Sequence, residues 1–246
     1  MYKILTDIWY TLIQFGRSRQ AVFFTLVFPL LFLILAWYMP QGQAQPSGSG
    51  NLDFALPGIL GIAIMGSSLD LTVGFIAGYR DTGVLRKLAV TPLSRLEWGL
   101  ARAAAGVLVA LLSAAVTVGI AWLAYGISPA INPLSLLLAV AGSVAFSGLG
   151  IIIAYVVKDG DTASAAAFTV TLPLILVSGT LFPADRLPGF LQVISALSPL
   201  TYLNDGLRSS MITGNYGDAL TNMAIVAGYG IVLFCAGVVN LKWNDG

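Results

Sequence analysis

Six long apolar stretches divide this chain, at about Ala21–Met39, Ala55–Gly78, Ala103–Tyr125, Leu134–Val157, Ala163–Leu181 and Ala219–Asn240. Each comes close to the roughly 20 apolar residues that a helix needs to cross a hydrocarbon core of about 30 Å. The runs are continuous, without the alternation of lipid-facing and lumen-facing residues that marks barrel strands, so they read as helices. A helix also satisfies its own backbone hydrogen bonds where no water is present. The pattern predicts an all-α integral membrane protein with six transmembrane helices in one domain, residues 1–246.

The segments outside the runs have patterns of their own. In residues 1–20, Ile4, Leu5, Ile8, Trp9, Leu12 and Ile13 recur at helical spacing among Lys3, Asp7 and Gln14. One-sided spacing of this kind predicts an amphipathic helix lying on the membrane surface. The long segment 182–218 precedes the last span. Leu187-Pro188 opens a first short helix there, and Ser198-Pro199 forms a cap and first-turn pair for a second. Neither is long enough to cross, so both are expected to dip into the outer leaflet as re-entrant extracellular helices. Their apolar positions, Phe190, Leu191, Ile194, Leu197, Leu200, Leu203 and Leu207, need burial in that leaflet or in the bundle.

Charge orients the bundle. Lys3, Arg17, Arg19, Arg80, Arg86, Lys87, Arg95, Arg102, Lys158 and Lys242 all fall on one side of the alternating runs, and only Arg186 and Arg208 on the other. Basic residues stay on the cytoplasmic side, so both termini are expected in the cytoplasm of a cell (plasma or inner) membrane. Apolar residues make up 57% of the chain and charged residues 9%, too many and too few for a soluble domain of this size. The near balance of 12 Lys+Arg against 11 Asp+Glu leaves no basic stripe for nucleic acid. There is no histidine, a single Cys235 and no Gly-Lys dipeptide. Imidazole catalysis, His or Cys metal centres and a phosphate-binding P-loop are thereby excluded, and no cofactor or metal is expected in this chain.

Two stretches carry candidate chemistry. In 79–102, Val84, Leu85, Leu88 and Ala89 form one apolar face of a short helix, Arg86 and Lys87 lie off it, and Thr91-Pro92 ends it. Such a face can press into a partner's groove, or it can lie on anionic lipid. Asp70 is the one charged residue inside an apolar run, about eight residues from its end, or roughly 13 Å deep. A charge at that depth costs on the order of 2.5–3.5 kcal/mol on insertion scales and calls for protein or a wet cavity around it. Gly66, Ser67, Gly74 and Gly78 fall near it at helical spacing. Asp70, Ser67 and Gly74 are therefore pathway candidates, the alternative being a carboxyl protonated or hydrogen-bonded between helices. The Gly74/Gly78 pair also permits close helix packing.

Three stretches resemble the type-2 ABC transporter permease family, in particular its drug- and antibiotic-exporter branch. Phe54-Ala55-Leu56-Pro57-Gly58-Ile59 resembles the opening of the family's second span. The stretch from Arg80, Asp81, Thr82 and Gly83 through Leu85, Arg86, Lys87 and Leu88 to Thr91, Pro92 and Ser94 resembles its cytoplasmic coupling segment. Ser178-Gly179-Thr180-Leu181-Phe182-Pro183, then Leu187-Pro188, Ser198-Pro199-Leu200-Thr201-Tyr202 and Asp205-Gly206-Leu207-Arg208, resemble its C-terminal signature. The resemblance implies a half-transporter with six spans. It would pair as a homodimer and dock a separate ATP-binding-cassette ATPase subunit, which holds ATP and Mg, through the coupling segment. The implied activity is export of a drug-like, lipid-like or other amphiphilic substrate, with no enzymatic activity in this chain. The acidic stretch that many members carry before Thr-Gly is reduced here to Arg80-Asp81. An outer gate is expected over Gly179, Phe182, Pro183, Phe190 and Pro199, hinged at Ser178-Gly179 and Ser198-Pro199.

Smaller signals are structural. Asp161 is expected to cap the fifth span, Asp205 and Arg208 to pair on one helix face, and Pro29 and Pro173 to kink their spans. Lys158-Asp159-Gly160-Asp161 offers too few carboxylates for calcium. The competing function is a secondary transporter or channel not coupled to ATP, which would usually show internal repeats or several intramembrane charges. A lipid-modifying membrane enzyme would need clustered acids or histidines that the chain lacks.

Overall fold

The structure is a computed structural model. It describes residues 9, 13, 15–17, 22–38, 51–84, 94–127, 129–157, 159–180 and 187–240. Every regular element among them is helical. A π-helical turn, Phe23–Val27, leads into α1 (Phe28–Tyr38), followed by α2 (Asn51–Asp81), α3 (Arg95–Tyr125), α4 (Pro133–Val156) and α5 (Gly160–Val177). Two short helices follow, α6 (Gly189–Ala196) and α7 (Pro199–Arg208), then a π-helical turn, Ser209–Thr213, and α8 (Tyr216–Asn240). Helices thus fall on all six apolar runs. By length and composition, four of them, α2, α3, α4 and α8, are able to cross a membrane, while those at Thr25–Tyr38 and Thr162–Val177 are shorter apolar helices.

Local chemistry sets the ends. Ser94 accepts from the Glu97 amide while Glu97 accepts from the Ser94 amide, and Asn132 and Ser135 repeat the arrangement ahead of α4. The first box starts α3 two turns before the expected Ala103, so 95–102 is helix and not loop. Asp159, rather than the expected Asp161, caps α5. Its carboxylate accepts from the Thr162 amide at 2.9 Å and from the Thr162 hydroxyl at 2.6 Å. These two hydrogen bonds hold the Asp159 carboxyl below the usual carboxylate range. Pro29 cannot donate to the Thr25 carbonyl one turn earlier, and the Ser113 hydroxyl of α3 supplies that bond at 2.6 Å.

The second span is the axis of the bundle. Its most apolar window is 83% buried by the rest of the chain, against 28% in α3 and in α8. One core unites Leu60, Ile64, Leu69 and Val73 of α2 with Leu138 and Phe146 of α4 and Leu200, Leu203 and Leu207 of α7. Lipid tails are as apolar as leucine, so the helices gain from close approach rather than from escaping water. A β-carbon on Gly148 would lie 2.5 Å from the Phe234 nitrogen, one on Gly237 3.0 Å from the Gly148 carbonyl, and one on Gly150 2.9 Å from the Leu69 carbonyl. Small residues thus bring α4 against both α8 and α2.

The expected interfacial helix 1–20 is described only at Trp9, Ile13 and 15–17, each helical. Trp9 is exposed, and Phe15 is buried with Leu71, Phe75 and Val109. The two short helices behave differently. In α7, Leu200, Leu203 and Leu207 are buried in the bundle, whereas Phe190 and Ile194 of α6 and Leu197 at its C-cap are exposed.

Candidate functional site

The expected functional residues that the structure describes fall at three levels along α2. At its basic end the helix stops at Thr82-Gly83. The Thr82 hydroxyl donates to the Gly78 carbonyl at 2.7 Å, and the Gly83 amide donates to Arg80 at 3.0 Å. Gly83 takes φ +69°, a left-handed value that a residue without Cβ adopts at no steric cost. Thr82 and Gly83 therefore serve as the terminator of the second span. Arg80 turns toward its own chain. Its Nη1 donates to the Val157 carbonyl at 2.9 Å and its Nη2 to the Ala154 carbonyl at 2.8 Å, both at the end of α4. The Asp81 carboxylate lies beside the first residue of α5, 2.6 Å from where a β-carbon on Gly160 would sit. Leu85, Arg86, Lys87, Leu88, Thr91 and Pro92 lie outside the described residues.

Beside this end stands a feature that sequence reading missed. Arg102 is 1% exposed, and its guanidinium carbon lies 5.4 Å from the ring centres of Phe75 and Trp98 and 5.3 Å from that of Tyr79. Three aromatic faces can each favour a desolvated cation by up to about 2 kcal/mol. Tyr79 and Arg102 thus tie the end of α2 to the start of α3, across the two ends of segment 79–102. The signal was present: Trp98 and Arg102 are four apart, one helical turn, but only once α3 is known to begin at Arg95.

Deeper in α2, Asp70 is half-buried, and no hydrogen bond or ion pair joins its carboxylate to a described residue. A β-carbon added to Gly66 would find only the Asp70 Oδ2 nearby, at 3.9 Å, and Gly74 and Gly78 have nothing within 4 Å. Among the described residues, Gly74 is exposed and Asp70 and Gly78 are partly exposed on the same stretch of α2. Among the described residues, none lies against the Gly74/Gly78 pair. Ser67 points elsewhere: it is fully buried and its hydroxyl donates to the Ala63 carbonyl at 2.5 Å, so it does not share the exposed face.

At the opposite end the turn Ser178-Gly179-Thr180 lies directly on α2. A β-carbon on Gly58 would stand 2.6 Å from the Thr180 carbonyl. Asn204 of α7 is fully buried and donates through Nδ2 to the Ser178 carbonyl at 3.2 Å and to Thr180 Oγ1 at 3.0 Å. Arg208 pairs with Asp205 at 2.9 Å, donates to the Gly179 carbonyl at 3.0 Å and stacks over Phe54 of α2 at 3.9 Å. Gly179 has φ +67° but is buried inside these contacts. Pro199 is buried at the first position of α7, and Phe190 is 69% exposed on α6. Phe182 and Pro183 lie outside the described residues. Asn204 was passed over in the sequence because a lone amide on a short helix carries no motif.

Comparison with known proteins gives this arrangement a family. The family model described as ABC-2 type transporter matches residues 2–212. The "Putative transport permease ycf38" of Cyanophora paradoxa is 30% identical over 207 residues, covering 80% of this chain and 69% of that protein. The "Probable multidrug ABC transporter permease YbhR" of Escherichia coli (strain K12) is 26% identical over 174 residues, or 69% of this chain, which spans 44% of that protein's length. "Nodulation protein J" of Rhizobium leguminosarum bv. viciae is 26% identical over 99 residues, 40% of this chain and 38% of that protein. An all-helical apolar bundle matched over most of its length by this model belongs to the ABC-2 type transporter family of membrane-spanning transport permeases.

Proposed function

We propose that the chain is the membrane-spanning half of an ATP-driven exporter. It works as a homodimer and is energised by a separate ATP-binding-cassette ATPase that holds ATP and Mg. The observation that carries this reading is the course of α2. The most enclosed helix of the bundle bears a mid-span carboxylate, Asp70, with no hydrogen-bond or ion-pair partner among the described residues, and runs directly into the coupling segment 79–102. A load applied to that segment therefore acts on the helix that carries Asp70. On this reading α1 and α5 also cross, giving six spans, both termini lie in the cytoplasm of a cell membrane, and α6 and α7 are re-entrant on the outer side. The face of Asp70, Gly74 and Gly78 lines the path, and its carboxylate favours a cationic or amphiphilic substrate.

On α1 Leu31, Ile34 and Leu35, and on α5 Phe168, Leu172 and Leu176, are exposed and so accessible to a second copy. Single cysteines at Leu31 or Leu176 in a Cys235→Ser background are expected to cross-link into dimers; reaction only at sites on α3 and α4 would move the interface. Docking is tested by Leu85→Asp with Leu88→Asp. The ATPase is expected to stop co-purifying while membrane insertion persists, and unchanged co-purification would remove the coupling role.

A further inference from the structure

A helix leaves its last four carbonyls without intrahelical partners and carries partial negative charge there, with partial positive charge at its N-terminus. The connection between α4 and α5 places two such ends side by side, one at Ala154 to Val157 and the other at Gly160. Consecutive residues of α2 answer both. The Arg80 guanidinium donates to the Ala154 and Val157 carbonyls, and the Asp81 carboxylate stands against Gly160 at the start of α5. Each charge meets the helix end of opposite sign. Elsewhere α5 is held loosely: Ala163, Ala167, Thr171 and Ile175 make a shallow buried stripe, while Thr162, Ala165, Phe168, Thr169, Leu172 and Leu176 are exposed. Meanwhile α2 ends at Gly83, so any displacement of the segment beyond it passes over Arg80 and Asp81 first.

We propose that Arg80 and Asp81 are positioning residues that clamp the α4–α5 connection to the end of α2, so that movement of the coupling segment carries the start of α5 with it. Their role is then internal transmission and not contact with the ATPase. This rests on the reading that the coupling segment docks the ATPase.

The test uses the complex with its ATPase in nanodiscs, with Cys235 replaced by Ser and spin labels at exposed positions. The distance between Thr82 and Thr162 reports the clamp, and that between Thr162 and Asn240 reports movement of α5. On trapping with Mg-ATP and vanadate, the first is expected to stay constant and the second to shift. In Arg80→Gln the ATPase should remain bound, while the shifted Thr162–Asn240 population falls roughly threefold to tenfold, in line with the loss of one coupling contact. Arg80→Lys, which can keep one carbonyl bond, should restore part of it, a rescue that loss of fold would not allow. Gly160→Ala, which leaves Arg80 in place and displaces the Asp81 carboxylate, should give an intermediate loss and serves if Arg80→Gln does not insert. The clamp is overturned if the Thr82–Thr162 distance changes in the unaltered complex, if the Thr162–Asn240 distance does not shift there, if Arg80→Gln leaves that shift intact, or if Arg80→Gln releases the ATPase. Failure of the docking reading shows separately, as an ATPase still bound to the Leu85→Asp, Leu88→Asp variant.

Discussion

The Arg208 guanidinium of α7 lies 3.9 Å from the centre of the Phe54 ring of α2. The contact joins a short helix of ten residues to the N-terminal end of α2, the most buried long helix. Together with the Arg208 bond to the Gly179 carbonyl at 3.0 Å and the Asn204 bonds to Ser178 and Thr180, it makes the turn after α5, α7 and the start of α2 one packed body. A hinge at Ser178-Gly179 would break these contacts; a gate confined to α6, whose Phe190 and C-cap Leu197 stay exposed, would not.

Removing the anchor therefore has a measurable cost. Arg208→Ala is expected to destabilise the protein by roughly 2–4 kcal/mol, through lost cation–π contact and a charged hydrogen bond. Phe54→Leu keeps most of the apolar volume and should cost about 0.5–2 kcal/mol. Thermal unfolding in detergent followed by circular dichroism checks both; a Phe54→Leu variant as stable as the unaltered protein would show that the ring face contributes nothing.

Glycines in the bundle should divide by what a β-carbon meets. Gly148→Ala drives a methyl against the Phe234 backbone and is expected to cost about 1–3 kcal/mol. Gly74→Ala meets open space within the chain, so stability should hold. Gly74→Trp should likewise fold but obstruct the proposed path. Comparing melting temperature with efflux of a cationic dye separates the two effects, and a folded Gly74→Trp with normal efflux would take this face out of the path.

Asp70→Asn should leave the bundle intact, since no hydrogen bond or ion pair to a described residue is lost. Removing a charge from mid-span also relieves a cost on the order of 2.5–3.5 kcal/mol if the group is ionised, so melting should stay level or rise. Efflux of a cationic dye is expected to fall more than efflux of a neutral one of similar size. Equal loss for both would assign Asp70 to structure.

The cap at Asp159 should respond to acid. Its carboxyl is held below the ordinary value of 3.8 by the Thr162 hydroxyl and amide. A lowered folded-state value means that its contribution is complete above the unfolded value and disappears as pH falls through the lower folded one. Amide exchange at the start of α5 should therefore be flat near neutrality and rise below about pH 4, on the unfolded reference scale. Asp159→Asn should keep the cap and flatten that acid response; an unchanged response would place its origin elsewhere.

Much of this architecture was legible without coordinates. Apolar length alone located helices on all six runs, because a backbone in hydrocarbon has few alternatives to a helix. Ser198-Pro199 and Leu187-Pro188 marked the two short helices because proline fixes the backbone where a helix starts; Ser198 stands at the N-cap position of α7 as expected, but its side chain makes no capping hydrogen bond there. Asp205 and Arg208 could be paired from a spacing of three. The misses were of two kinds. Asp159 displaced Asp161 as the cap of α5, and Ser94 with Glu97 started α3 early, both through side chains reaching only three residues away. These local signals were present in the sequence but were outweighed by the apolar count.

The rest depended on which helix faces meet, and a span that is apolar all round does not record that. The same continuous hydrophobicity describes α2 at the centre and α3 at the rim, since lipid and protein interior solvate a leucine alike. Tertiary packing alone placed Ser67 inward while leaving Gly74 exposed and Asp70 and Gly78 partly exposed among the described residues. It also directed Arg80 to the end of α4 instead of outward, and enclosed Arg102 in three aromatic rings contributed by α2 and α3. Sequence determined that the chain forms apolar helices and which of its ends is basic, because hydrocarbon thickness and charge act on each segment separately. Partners for the few polar groups were decided only by the fold, because a charge in a low-dielectric interior is stabilised by groups distant in the chain, and no local pattern says which of them will arrive.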